Sequence, residues 1–181
     1  EPKQSLNYSL ISKEHDFLTI NSTSGGLTLL NSSRLNFESV PEYKFTVRVE
    51  DNGPGTMATE NTFVLRVVDR NERPRLTKVG QEFVVDENQE AGTLVGGALI
   101  RGDDPDAHDG PYGNLVYVLS GSDENIFGLA LSNNNRIAQI KVIGGIIDYE
   151  TKDQYELNIT VTDGGGLSDA AGLNIFVKNA P

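Results

Sequence analysis

Residues 100–110, IRGDDPDAHDG, place Asp103, Asp104, Asp106 and Asp109 within one short stretch that also spells Arg101-Gly102-Asp103. The four carboxylates are hard oxygen donors that suit a cation, whereas the tripeptide is one that a cell-surface receptor could grip. Further acids stand at marked places: Glu38 two residues after Asn36, Glu150 two residues after Asp148, Asp51 and Asp163 at the ends of alternating segments, and the run DRNERP at 69–74. Two unit charges roughly 4 Å apart repel by about 4 kcal/mol at an effective dielectric near 20. Carboxylates gathered in one place therefore need a cation or must splay apart.

Catalysis finds little support. There is no cysteine, and the two histidines, His15 and His108, stand in different halves of the chain. No nucleophile elbow or phosphate-binding glycine loop is present; Gly144–Gly145 and Gly164–Gly166 sit where turns are expected. Asp104 and Asp106 lack the sugar-stacking Trp of a glycosidase, since the chain has none. The expectation is a protein that is not an enzyme. A formal net charge of -11 makes nucleic acid and anionic membrane surfaces poor partners, because both are polyanions. The lack of cysteine also removes disulfides and zinc-thiolate sites, and no apolar run is long enough to span a bilayer.

The elements that must position these acids are strands, and they come twice. Residues 35–53, LNFESVPEYKFTVRVEDNG, lie without gaps over residues 147–165, IDYETKDQYELNITVTDGG. Upstream, NYSL at 7–10 matches VYVL at 116–119. Tyr155, Leu157, Ile159 and Val161 alternate with polar residues, as do Tyr43, Phe45, Val47 and Val49, which reads as strands with one buried face. Further β-rich runs at 63–68, 82–87, 93–100 and 173–178 are separated by Gly, Asn and Asp turns. The expected fold is all-β, two tandem Greek-key β-sandwiches arranged end to end, with repeats over 1–74 and 75–181 joined through 69–74. The first repeat is expected to be N-terminally truncated: the second has two strand candidates, at 82–87 and 93–100, with no counterpart before residue 7. Residues ahead of Glu1 are expected to be missing.

End-to-end sandwiches bring the junction and the facing loops together, which would gather Asp69, Asn71, Glu72, Asp104, Asp106 and Asp163. Calcium fits such a set best, because it accepts six to eight oxygens in flexible geometry without nitrogen or sulfur; magnesium demands a tighter octahedron. An EF-hand is excluded, since counting from Asp104 puts Asp109 at its obligatory glycine and Leu115 at its final glutamate.

Together these residues resemble a tandem pair of cadherin repeats. The likeness lies in Asp86-Glu87-Asn88 with Gly92-Thr93, Asp104-Pro105-Asp106 with Gly113-Asn114, Ile147 to Glu150, Val161 to Ser168, and the DRNERP linker. The resemblance implies a calcium-bound junction. Side-chain ligands would be Glu38, Asp69, Asn71, Glu72, Asp104, Asp106 and Asp163; Arg70, Arg73 and Asn114 would offer main-chain carbonyls. Asn36 stands where the family carries Asp, the linker is one residue short, and an acid expected in the first strand of repeat one is absent. The site bonded mainly to the second repeat is therefore expected to be the most intact, with fewer or weaker ions than the family's three. Glu87, Asp148 and Glu150 would face a following junction, of whose linker VKNAP keeps only Asn179; Asp51 points to a preceding one.

The function implied is calcium-dependent adhesion or recognition by an extracellular segment whose junction calcium stiffens, at about 0.1 to 1 mM for modules of this type. The alternative is a non-adhesive spacer or glycan-associated module of a large surface or secreted protein. Partners would be other cadherin-type ectodomains or neighbouring repeats. Sequons at Asn7, Asn21, Asn31 and Asn158 fit a secreted or cell-surface glycoprotein, Asn158 best because alternation turns it outward. Arg101-Gly102-Asp103 falls at a strand end beside the metal loop, which disfavours integrin recognition. Asp104 and Asp106 become ligands, with Asp103 and Asp109 as flanking charge.

Overall fold

The computed structural model describes residues 4–11, 16–106, 111–121 and 123–180; His15, His108 and Asp109 lie outside them. Their regular structure is strand, with one 3-10 turn at Ser32–Arg34 and no α-helix among the described residues. The chain divides into two compact units, Glu1–Arg70 and Asn71–Pro181.

The first unit contains β1 (Leu6–Leu10), β2 (Leu18–Ile20), β3 (Leu27–Leu29), β4 (Glu42–Asp51) and β5 (Ala58–Arg66). β4 is the centre of a three-stranded antiparallel sheet, β1-β4-β5, and β2 pairs with β3 in a separate hairpin. The alternation read from 43–49 places Phe45 and Val47 in the interior, where Phe17 joins them from the segment before β2. Phe17 meets Tyr43 edge-to-face at 5.0 Å, and Phe45 stacks on Phe63 at 5.8 Å.

The second unit contains β6 (Arg75–Asp86), β7 (Gly96–Asp103), β8 (Val116–Ser120), β9 (Phe127–Ser132), β10 (Ile137–Val142), β11 (Gln154–Thr162) and β12 (Ser168–Lys178). The ladder order is β8-β11-β12-β6-β7-β10-β9. β6 makes this a sandwich. Its first half pairs antiparallel with β7, the register shifts between Gly80 and Val84, and Phe83–Asp86 then run parallel to Ile175–Lys178 of β12. One strand thus belongs to both layers, and the bulge is what turns it from one to the other. Gly97 permits the crossing: its φ is +85°, and a Cβ there would collide with the Glu82 carbonyl.

Between the layers lies a core that holds nineteen buried apolar residues among the described ones, including Phe83, Phe127, Ile140, Ile159 and Ile175. Along β11 every inward residue is buried and Glu156 and Asn158 are exposed, as a strand with one dry face requires. β9 and β10 close through Asn133, Asn134 and Asn135, all with positive φ, a conformation that asparagine tolerates better than most residues. Boundaries differ from the sequence reading for physical reasons. β7 begins at Gly96, with Leu94 making only an isolated bridge to Lys141, and the positive φ of Gly97 bends the strand just after its start. β6 begins at Arg75, and its first half offers Leu76 and Val79 three residues apart, which carries no period-2 alternation to read.

Candidate functional site

Four described acids of the second unit are buried although the chain is strongly acidic: Glu87 is 7 % exposed, and Asp104, Asp106 and Asp163, which lie on the loops after β7 and β11, are 6 %, 2 % and 5 % exposed. Local hydrogen bonds explain how the loops hold them. Asp104 follows β7, and its Oδ1 accepts the Asp106 N–H at 2.9 Å, folding Asp104-Pro105-Asp106 into a tight turn. Asp106 Oδ2 accepts the Glu72 N–H at 3.0 Å, which fixes the linker backbone on this turn. Asp163 follows β11, and its Oδ1 accepts the Gly165 and Leu167 N–H groups at 2.8 and 2.9 Å. Asn71 lies against Gly165, where a Cβ would collide with its amide.

At Asp104 and at Asp163 one oxygen builds the turn and the other is left over. Asp104 Oδ2, Asp163 Oδ2 and Asn71 Oδ1 are buried without a hydrogen-bond partner. An orphaned buried acceptor is costly, and a charged one more so. Burial pushes the Asp104 carboxyl above the usual carboxylate range; the Asp106 N–H opposes this, the charges of Asp106 and Asp163 add to it, and Arg136 offsets part of it. The donor set is oxygen only, which is the chemistry of a hard divalent cation. Asn114 is exposed in the adjoining turn, bonded through its N–H to the Pro111 carbonyl at 3.4 Å.

The remaining expected ligands belong to the first unit or lie exposed along the linker. Glu38 is half-buried, and Asp69 is half-buried with Oδ1 lacking a partner. Arg70, Glu72 and Arg73 are exposed. Asn36 has a local job: its Oδ1 accepts the Ser39 N–H at 3.0 Å, and at the matching place in the second unit Asp148 accepts the Glu150 N–H and the Thr151 hydroxyl. Asp51 likewise repeats Asp163, its Oδ1 accepting Gly53 and Met57 N–H groups at 3.1 Å.

Glu87, Asp148 and Glu150 also come together, with carboxylate oxygens within 4.8 Å of one another. Here the oxygens have partners. Glu87 accepts the Ala180 N–H at 2.8 Å and the Tyr149 N–H at 3.4 Å, and Glu150 accepts from Asn179 at 3.1 Å. The Thr151 hydroxyl, foremost among several hydrogen bonds, holds Asp148 below its usual range.

Arg101-Gly102-Asp103 lies inside the ladder, β7 pairing there with both β6 and β10. Arg101 Nε bonds its own neighbour Asp103 at 3.0 Å, so the two ends of the motif hold each other. Gly102 serves packing, since a Cβ would collide with the Tyr117 hydroxyl. Gly102→Ala should therefore destabilise the second unit by about 1–3 kcal/mol, measured by chemical denaturation, because Tyr117 must move. A neutral result would show that the ring has room. Sequence reasoning missed Arg136, which reaches the acidic loops from the β9–β10 turn and donates to the Gly113 carbonyl at 3.0 Å. No local signal marks it.

A cadherin-domain family model matches residues 81–178. Human protocadherin gamma-C4 is 32% identical over 164 residues, 90% of this chain and 16% of that protein. Cadherin-87A of Drosophila melanogaster is 28% identical over 155 residues, 83% of this chain and 7% of that protein. The chain thus spans a small part of these relatives. Among solved structures, the protocadherin gammaB7 EC3-6 cis-dimer superposes with a TM-score of 0.78 at 24% identity, covering 97% of this chain and 40% of that one. Mouse cadherin-23 EC22-24 gives 0.71 at 26% identity, covering 97% and 53%. With the family model covering more than half its length and a β-sandwich of matching topology, the chain belongs to the cadherin family.

Proposed function

We propose that the chain is an extracellular segment of an adhesion or recognition protein, in which calcium stiffens the junction between two cadherin repeats. The observation that carries this reading is the trio of buried, unpartnered oxygens on Asn71, Asp104 and Asp163. Calcium, when bound, supplies the positive charge these oxygens have no other partner for. Asp104, Asp106, Asp163 and Asn71 would hold it from the second unit, with Glu38, Asp69 and Glu72 as further side-chain ligands. Arg70, Arg73 and Asn114 would contribute carbonyls, which the outward position of both arginines supports. Asn36, with its carbonyl engaged at Ser39, is the weakest member.

The chain's own residues do most of the positioning. Backbone N–H groups fix one oxygen of each acid, so that the other is presented without rearrangement. The partner class is another cadherin-type ectodomain, by analogy with the cis-dimer of the protocadherin relative. Placement outside the cell is supported by exposed sequons at Asn7, Asn21, Asn31 and Asn158. At Asn31 the side-chain carbonyl accepts the Ser33 hydroxyl at 2.7 Å.

Small-angle scattering tests the stiffening. Titrating calcium into chelator-treated chain should narrow the distribution of dimensions with a midpoint of about 0.1 to 1 mM. Superimposable profiles in chelator and in excess calcium would sink the proposal.

A further inference from the structure

Asn158 stands in the middle of β11, on the wet face of its sheet and one strand in from an edge. That edge is β8, which pairs only with β11 among the described strands. Edge strands are normally blunted by charge, proline, a bulge or a covering element. β8 has neither charge nor proline: residues 115–121 read LVYVLSG, and uncharged, β-prone, proline-free runs of this length are the ones that pair edge to edge. Its outward valines stand in water, Val116 at 61% and Val118 at 56% exposed. β9, at the other end of the ladder, turns the small, half-buried Gly128 and Ala130 outward instead.

The strand register sets what lies beside these valines. One row across the sheet is Val118-Thr160-Ala170 and the next is Ser120-Asn158-Gly172, all uncharged in a chain of net charge -11. Asn158 is therefore diagonal to Val118, a separation of about 7–8 Å. On the β12 side it is the carbonyl oxygen of Asn158 that approaches Gly172, 3.8 Å from where a Cβ would stand. Asn158-Ile159-Thr160 is also an acceptor for N-linked sugar. An unprotected edge, an uncharged face and a glycan acceptor thus share neighbouring rows of one sheet.

We propose that Asn158 carries an N-linked glycan whose core lies over Val118 and Val116 and shields the β8 edge from pairing. In the transfer, Asn158 Nδ2 bonds to the anomeric carbon of a lipid-pyrophosphate-linked oligosaccharide. The carbon–oxygen bond to the pyrophosphate breaks, and the amide proton leaves with the lipid pyrophosphate. Asn158 is exposed, so the sugar is carried without displacing a strand. The core sugars are bulky and uncharged: their C–H and acetyl groups cover the valine methyls while their hydroxyls stay in water. The competing occupant is a second copy of this chain adding its own β8 across the same edge, which the bulk of the glycan prevents. This inference rests on the placement outside the cell proposed above and is independent of calcium.

The test compares the full chain, secreted from glycosylating cells, with its Asn158→Gln variant, each in chelator and in calcium. Mass spectrometry should find sugar on Asn158 of the parent. The variant should sediment as dimers and larger species at concentrations where the parent does not, with amide exchange along 116–120 slowed by about tenfold on association. Val118→Lys added to the variant should restore the parent's sedimentation, because a charge on an edge strand blocks pairing. Asn7→Gln, which removes a sequon from the first unit, should leave sedimentation unchanged. Sugar at the other sequons with Asn158 bare overturns this inference alone, whereas four bare sequons overturn the placement outside the cell with it. Equal sedimentation of the parent and Asn158→Gln would also overturn it, as would association that Val118→Lys does not reverse.

Discussion

Asp104→Asn should stabilise the chain in chelator and destabilise it, relative to the parent, in calcium. The amide keeps the carbonyl that accepts the Asp106 N–H, so the turn survives. What is lost is the charge. Without metal, that charge is buried beside Asp106 and Asp163, and burial first, then these like charges, hold its carboxyl above the usual carboxylate range. A carboxyl raised on folding binds more protons in the folded chain than in the unfolded one, so it costs stability above its folded pKa. The cost is lost as pH falls through that value into the usual carboxylate range, below which the carboxyl is protonated in both states. The asparagine variant should therefore melt higher than the parent at pH 7.5 in chelator, with the gap closing on acidification. In calcium the order reverses, because the variant lacks a charged ligand. A site saturated at about a hundred times its dissociation constant contributes about 2.7 kcal/mol, or roughly 10 °C for a domain of this size. Most of that shift should disappear in the variant. Melting curves of both proteins with and without calcium decide the matter: a variant that melts lower in chelator, or keeps the full calcium shift, contradicts the account.

Phe83→Ala should cost about 3–5 kcal/mol and lower the second unit's melting temperature by about 15 °C or more. Phe83 is 2% exposed and lies on the part of β6 that runs beside Ile175, where the strand leaves one layer for the other. The neighbours cannot collapse into the vacated space, because β6 is held by β7 on one side and β12 on the other. Phe63→Ala in the first unit should cost only about 1 kcal/mol, since nearly half of that ring is already in water. Calorimetry of the two variants measures the contrast, and similar losses in both would contradict the difference in burial between the two rings.

The strands that carried the plainest alternation, β4 and β11, were legible because one face of each is dry and the other wet. β2, β3, β9 and β10 were not: they are short, and in Ile137–Val142 an apolar Ile137 shares the half-buried face with Gln139 and Lys141, which blurs the alternation. The repeat made the acidic turns legible, since the same residue caps the same turn twice, Asp51 in one unit and Asp163 in the other. The sequence could not say which oxygen of each acid builds the turn and which is spare, because that depends on backbone N–H groups brought near by folding. Nor could it reveal Arg136, whose approach to Asp104 depends on the β9–β10 turn meeting the loop after β7. Arg101-Gly102-Asp103 was ambiguous as letters, and its ladder pairing settles how it is displayed.

The parallel pairing of β6 with β12 also has a mechanical meaning. The second unit begins at β6 and ends at β12, and Phe83–Asp86 lie alongside Ile175–Lys178 pointing the same way. Tension applied through the two ends of the unit pulls these strands in opposite directions along their length. The bonds between them are then sheared together rather than peeled apart one at a time, so the rupture force is set by the whole patch. A repeat wired in this way resists stretching at the place where load enters and leaves it.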